Sequence, residues 1–595
     1  MKTIWKTAGA VVLVSTSAAW AQSTPTTTPV LGTEASNPIS QGLGWWTRPT
    51  LNNAGEVALV AGGVGTESPF GIWIVGADGV PRNVVARGDL LPDASDTFLD
   101  FGGVGVSLND AGDVAFFGQS STDTVTEVGL YVYKNGVVTE IGDAGDELSD
   151  GRILSRFEIG IGSNGGPPPP ALIRPTISDN GLTAAMYYSL TGTFGLGVVA
   201  GGGDIEPVTV AFSRTPSPAG SDYGGFIGAP PPPVDDQERV VLYSQLVDNS
   251  RGIFREGAEG GLPGEVLIQQ GMEVAGELVS FESSFVGRPT VAQANGLVYA
   301  VGRVGIDEVP TVLVSDGGTV SAVASAGDPL LNRPGDVLDS MAVLDANNVG
   351  QAVVAELAGS FLSGAVRVGP DGAIRVFEGG EPAPDGNGTF AIGAFGIDER
   401  ISASINDAGQ VAFTGTLLDT AGGDADDVAI YFFDDRLGLL TVAREGDTFN
   451  GDTLTFLLTE TGQFGGGDNG DAFNEHGQIA FLYATASSGG VAVWTPPSID
   501  DVVPGDANLD GVVDLADFGV LRANFGETWA YLTTADFDGD RDVDLADFGI
   551  LRANFGGSAS DLATLDAWAA TVPEPTGFSL VGLVSLGSLR RRRVA

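Results

Sequence analysis

Leu51-Asn52-Asn53-Ala54-Gly55-Glu56-Val57-Ala58 decides the reading of the chain, because the pattern returns as Leu108-Asn109-Asp110-Ala111-Gly112-Asp113-Val114-Ala115. Further copies are Ile177-Ser178-Asp179-Asn180-Gly181, Ile405-Asn406-Asp407-Ala408-Gly409-Gln410-Val411-Ala412 and Phe473-Asn474-Glu475-His476-Gly477-Gln478-Ile479-Ala480. Weaker copies end at Gly296 and near Gly350, and a degenerate one precedes Val240–Tyr243. Where no insertion intervenes, the motif glycines stand 54 to 59 residues apart. Gly adopts positive φ without steric cost and Asn bonds its local backbone, so each copy reads as a hairpin turn leading into an apolar strand.

A second strand pair follows in most units, as at Gly71–Val75 with Asn83–Ala86 and Ala429–Phe433 with Leu439–Ala443. It tends to end in Gly-Asp, at Gly88-Asp89, Gly145-Asp146, Gly327-Asp328 and Gly446-Asp447. Four strands in a unit of this length is the content of a propeller blade. The expectation is a mainly β fold over residues 39–496, a ring of seven or eight blades. An open β-solenoid competes, although its repeats are usually shorter. Closure removes exposed sheet edges. The last unit stops after Val491–Trp494, so a strand within Ile39–Thr47 is expected to complete it, leaving 22–38 as a linker. The array resembles Asn-x-x-Gly tandem-repeat proteins found beside bacterial surface anchors, a resemblance that implies architecture and no chemistry.

Composition narrows the chemistry. The 595 residues carry 28 Lys and Arg against 76 Asp and Glu, a net charge of −48 that repels nucleic acid and favours divalent cations. There is no Cys and one His, which excludes thiol catalysis, thiolate metal sites and any His-pair zinc site within one chain. That His476 falls in a motif turn, where sibling copies have Ala111 and Ala408, and reads as a turn residue. Arg87-Gly88-Asp89 matches an adhesion tripeptide, but the repeat itself accounts for its Gly-Asp.

Beyond a linker at 497–504, two 12-residue stretches have the form of EF-hand-type loops. In the first, oxygen ligands fall at Asp506, Asn508, Asp510, the carbonyl of Val512, Asp514 and Asp517, with Gly511 at the sharp turn. The second offers Asp536, Asp538, Asp540, Asp542, Asp544 and Asp547. Ca²⁺ takes six to eight hard oxygens, which alternate positions of a tight loop supply. Each loop runs into a matching helix, with Phe518, Leu521 and Phe525 on one face of the first and Phe548, Leu551 and Phe555 on one face of the second. Residues 505–557 therefore form one module, followed by a short helix or linker over 558–571. The module resembles a type I dockerin, which implies two bound Ca²⁺ ions with Asp at the twelfth loop position. Cohesin-binding dockerins usually carry hydroxyls at positions ten and eleven. Here those are Leu515/Ala516 and Leu545/Ala546, so standard cohesins are not expected partners. In loop two Arg541 takes the place that Gly511 holds in loop one, which implies a strained positive φ.

Both chain ends read as addresses. Residues 1–21 have Lys2 and Lys6, an apolar run and Ala19-Trp20-Ala21, a secretory signal cleaved after Ala21. Residues 572–595 contain Pro573-Glu574-Pro575, an apolar stretch, and Arg590, Arg591, Arg592 and Arg593. This order resembles the PEP-CTERM sorting signal of Gram-negative bacteria. The resemblance implies a transient inner-membrane intermediate, processing by an exosortase-type enzyme, and delivery to the outer surface or extracellular matrix. Clustered Arg agrees with a cytoplasmic end. Loss of the signal and the tail takes the net charge from −48 to −53. The expected function is a non-enzymatic recognition or scaffold protein whose ligand is a glycan or envelope component. An extracellular carbohydrate-active enzyme and a structural biofilm-matrix component stand as alternatives.

Overall fold

The computed structural model describes residues 26–33 and 49–572, except 62–69, 94–95, 100, 102–104, 121–127, 158–173, 190–194, 203–204, 227–231, 259–263, 282–288, 359–360, 395–402, 460–470 and 488. Ala21, Pro573, Glu574, Pro575, Arg590–Arg593 and the segment Ile39–Thr47 lie outside the described residues. No helix among the described residues is long and apolar enough to cross a membrane. The chain divides into two units, with the boundary between Pro497 and Ser498.

The first unit is an eight-bladed β-propeller, each blade an antiparallel sheet. A strand β1 (Thr26–Thr33) comes first in the chain. Blade 1 then runs outward in order as β2 (Thr50–Leu51), β3 (Val57–Ala61), β4 (Gly71–Val75) and β5 (Pro81–Ala86). The motif is the turn between the two innermost strands. Gly55 sits at φ +76°, its N–H donates to Asn52 O at 3.0 Å, and the Glu56 N–H donates to Asn52 Oδ1 at 2.8 Å. Gly112, Gly181, Gly296, Gly350, Gly409 and Gly477 repeat the positive φ, and in the degenerate copy Glu238 takes it at +60°. The Gly-Asp steps are turns too. Asp89, Asp146, Asp328 and Asp447 each accept the N–H three residues earlier through Oδ2.

The same asparagines tie one blade to the next. Asn52 Nδ2 donates to Asn109 O at 3.0 Å, Asn109 Nδ2 to Ser178 O at 2.9 Å, and Asn347 Nδ2 to Asn406 O at 2.8 Å. Asn406 Nδ2 reaches Asn474 O at 3.2 Å, and Asn474 Nδ2 returns to Asn52 O at 3.0 Å. A second circle runs beside it, each backbone N–H donating to the side chain one blade on: Asn53 to Asp110, Asp110 to Asp179, Asp179 to Asp236, Asn348 to Asp407, Asp407 to Glu475, and Glu475 to Asn53. The motif thus supplies both the turn and a belt around the axis. Apolar cores fill the wedges between blades, and one that joins Leu51, Val57 and Val75 to Ala480, Leu482 and Val491 seals blade 8 against blade 1.

Ring closure corrects the sequence reading in its location. Strand β1 pairs antiparallel with Gly489–Thr495, from Thr26 opposite Thr495 to Thr33 opposite Gly489, and so provides the outermost strand of blade 8. The segment expected as a linker, 22–38, therefore contains a strand at Thr26–Thr33. Thr26–Thr33 sets Val30 and Leu31 side by side among Thr, Pro and Gly, which gives no alternating apolar signal, and an edge strand needs none because half its hydrogen-bonding capacity faces outward.

The second unit holds α1 (Leu515–Asn524), α2 (Leu545–Asn554) and α3 (Ala559–Ala569). Asp514 and Asp544 cap their helices through capping boxes with Asp517 and Asp547. Phe518 and Phe548 meet with ring centroids 6.4 Å apart, and Leu521 and Leu551 are fully buried beside them. Helix α3 is part of this core. Leu565 is fully buried, and Trp568 packs edge-on to Phe518 and Phe525 at 5.3 and 5.1 Å. The module thus extends past the expected end at 557.

Candidate functional sites

In the second unit each loop wraps around its own first and twelfth carboxylates. Asp506 accepts the Asp510 and Gly511 N–H groups, and Asp517 accepts those of Ala507, Asn508 and Asp514. Loop two repeats this: Asp536 accepts from Gly539 and Arg541, and Asp547 from Phe537, Asp538 and Asp544. The loops are linked crosswise, Gly526 N–H to Val543 O at 2.8 Å and Gly556 N–H to Val513 O at 2.9 Å. Arg541 has φ +76°, as its position implied, and its guanidinium lies 5.7 Å from the Trp529 ring centre and 5.5 Å from that of Tyr531.

Loop two brings its expected ligands closest. Carboxylate oxygens of Asp536, Asp538 and Asp540 lie within 4.8 Å of one another, as do those of Asp542, Asp544 and Asp547. Loop one contributes Asp506 and Asp517 as its buried members, with Asn508, Asp510 and Asp514 toward solvent and Val512 offering a carbonyl. Burial, and then neighbouring carboxylates, push Asp506, Asp517, Asp538, Asp542 and Asp547 above the usual carboxylate range. Asp542 Oδ1 is buried without a hydrogen-bond partner. An acceptor-only donor set of this kind, short of positive charge, fits a hard divalent cation.

In the propeller, a small pocket of about 20 Å³ opens at the belt and draws residues from blades 1, 2, 6, 7 and 8. Asn53, Asp110, Asn474 and Glu475 come from motif turns, Asp345 and Ser404 from strands that lead into such turns, and Asp471 from the segment just before Phe473. Asp471 is buried, bridging Arg174 Nη2 and Ser404 Oγ at 2.7 Å each. Arg174 belongs to blade 3, so its side chain spans toward blade 8. Burial, with Asp407 and Asp110 nearby, pushes Glu475 up to about 7. None of these residues was singled out as a site from sequence. Their signal was a polar residue in an otherwise apolar first strand, Asp345 and Ser404 each two residues ahead of the motif Asn. His476 is exposed in its turn, and Asp89 of the Arg-Gly-Asp triplet is engaged with its own backbone.

No curated protein matches the chain. Among solved structures, a six-bladed fungal lectin from Aleuria aurantia is similar at 11% identity, over 57% of this chain and 93% of that one, with a TM-score of 0.24. An acylaminoacyl peptidase from Pyrococcus horikoshii has 10% identity over 76% of this chain and 59% of that one, TM-score 0.30. A polysaccharide lyase described as a PL25 ulvan lyase has 11% identity over 69% and 97%, TM-score 0.30. One family model matches residues 6–193 and 170–497, together the propeller and the sequence before it. The chain therefore belongs to DUF7453, a family of unknown function.

Proposed function

We propose that the protein is exported, loses its signal after Ala21 and its tail near Pro573-Glu574-Pro575, and presents the propeller as a recognition scaffold beside a calcium-stabilised module. The observation that carries the recognition reading is the axial pocket. Its amide, hydroxyl and carboxylate groups converge from five blades, and the belt fixes their backbones before any ligand arrives. Such a lining suits a ligand rich in hydroxyl groups, a glycan or envelope polysaccharide. The test is a glycan array with the secreted mature chain, alongside a broad screen of hydrolase and lyase substrates. Retained binding with no turnover fits the scaffold, and no ligand in either assay counts against it.

The enzymatic alternative has one supporting observation. Glu475, pushed up to about 7 by burial and neighbouring carboxylates, shares the pocket with buried Asp345 and Asp471. Turnover abolished by Glu475→Gln would replace the scaffold reading.

In the module, Asp506, Asn508, Asp510, Val512, Asp514 and Asp517 would hold one Ca²⁺, and Asp536, Asp538, Asp540, Asp542, Asp544 and Asp547 the other. Calcium would neutralise carboxylates that otherwise repel one another in the folded loops. Calorimetry should show two ions on this unit, Asp506→Ala should remove one, and chelation should alter its circular dichroism. Calcium-insensitive spectra would refute this. Intact mass of the mature protein should lack Arg590–Arg593, and a cohesin panel should give no submicromolar binding.

A further inference from the structure

Two turns of the propeller share one design. In blade 2, Asn135-Gly136 joins the strands Val128–Lys134 and Val137–Gly142, with Lys134 opposite Val137. In blade 8, Asn450-Gly451 joins Thr448–Phe449 to Asp452–Leu458, with Phe449 opposite Asp452. Both are two-residue loops with positive φ throughout, 52° and 86° in the first, 53° and 84° in the second, the geometry that favours Asn-Gly. Three more Asn-Gly pairs are described, at Asn180, Asn295 and Asn387, while Asn164-Gly165 and Asn469-Gly470 lie outside the described residues.

An Asn-Gly pair carries its own reaction. The Gly backbone nitrogen attacks the Asn Cγ, a C–N bond forms and ammonia leaves, which closes a five-membered succinimide. Water then opens the ring at one carbonyl or the other, giving aspartate or isoaspartate. Gly permits this because it has no side chain to shield its nitrogen and its backbone swings freely. A hydrogen bond on the Asn side chain or on the Gly N–H opposes it.

Four of the five described pairs are held in this way. Asn180 Nδ2 donates to Asp236 O at 2.6 Å and Asn295 Nδ2 to Asn348 O at 2.7 Å. The N–H groups of Gly181 and Gly296 are engaged as well, by Ser178 O and Ala292 O. Asn387 donates to Asp426 Oδ2 at 2.9 Å and accepts the Ala421 N–H at 2.8 Å. Asn450 is hydrogen-bonded to the Tyr483 side chain. Asn135 differs. It is exposed together with Gly136, nothing holds its side chain or the Gly136 N–H, and the space beside the Gly136 Cα is open.

We propose that Asn135-Gly136 is a spontaneous modification site, where the folded protein converts Asn135 to aspartate and isoaspartate ahead of the other described pairs. The product sets a new carboxylate next to Lys134, whose ammonium lies 3.4 Å from Asp113 in blade 2 and donates to Asn180 O of blade 3 at 3.3 Å. Isoaspartate also adds a backbone atom to a two-residue loop whose length sets the strand register.

The experiment is timed incubation of the full chain at pH 8 and 37 °C, with tryptic peptides resolved by chromatography and mass spectrometry. Asn135 should convert about tenfold faster than Asn180, Asn295, Asn387 and Asn450, as the absence of one hydrogen bond allows, and give two products of equal mass. In denaturant the five rates should converge, which shows that the fold sets the difference. Tyr483→Phe, which frees Asn450 in the matching turn, should raise the Asn450 rate several-fold and leave that of Asn135 unchanged. If that variant misfolds, the rates in the unaltered chain decide. A folded-state rate at Asn135 no higher than at the four held pairs overturns the proposal, as does a difference that persists in denaturant.

Discussion

Removing β1 should destabilise the entire propeller, not fray one edge. The strand makes seven residue pairings with Gly489–Thr495, one of them through Pro29, which has no N–H to donate. That leaves roughly six backbone hydrogen bonds at about 1 kcal/mol net each, so the loss is about 6 kcal/mol. Because blade 8 is tied to blade 1 through Asn474 and Asn52 and a shared apolar core, the cost falls on the cooperative unit. For a domain of this size the unfolding entropy is about 1 kcal/mol/K, and the melting temperature should fall by ~6 °C. The assay is calorimetric melting of chains that begin at residue 22, 34 or 48 and end at 572. The drop should appear between the first two, with the third close to the second. Equal melting of all three would refute ring closure by β1. A drop only between the second and third would return closure to Ile39–Thr47.

Three further outcomes follow from the belt and the module. Asn474→Ala removes the bonds to Asn52 O and Gln478 Oε1 and the acceptor for the Gln478 N–H, and should cost about 2–3 kcal/mol in a denaturant melt of the propeller. Burial raises Asp236 to about 6 and Glu475 to about 7, both above their unfolded values, so protonation favours the folded state. Propeller stability should therefore rise as pH falls from 8 toward 5, by about 1–2 kcal/mol per group after solvent screening, and the gain should shrink by the share of these two groups in Asp236→Asn/Glu475→Gln. A melting temperature that falls over this range would reverse the assignment. Trp568→Ala should destabilise the calcium-loaded module by ~2–3 kcal/mol, and ending the chain at 557 should do at least as much.

The blade repeat was legible because one turn chemistry recurs with little drift, and Gly at positive φ with a capping Asn has few substitutes. Blade number was not legible, because the copy at Asp235-Asp236-Gln237-Glu238 has lost its glycine and β1 carries no apolar alternation. The belt was hidden for a different reason. Each Asn looked sufficient as a turn residue, yet its Oδ1 serves the turn while its Nδ2 serves the next blade, and a one-dimensional pattern records only the first duty. In the second unit the ligand spacing was explicit, but Ala559–Ala569 reads as a modest helix until Trp568 is seen lodged among Phe518, Phe525 and Phe548.

The same distinction explains why polar groups collect at the propeller axis. A blade's outer strands differ freely because each faces only its neighbours, whereas the residues before each motif Asn converge from all around the ring. A polar side chain there meets partners far away in sequence, as Arg174 meets Asp471 across 297 residues. A buried pair of that kind adds little net stability, because desolvation of both ions offsets their attraction, while loss of one partner strands a charge. Arg174 Nη1 remains without a partner beside it. Structural need alone would have been met more cheaply by an apolar pair. The polarity of these axial residues is therefore not something the fold requires, and it supports the recognition role proposed for the pocket.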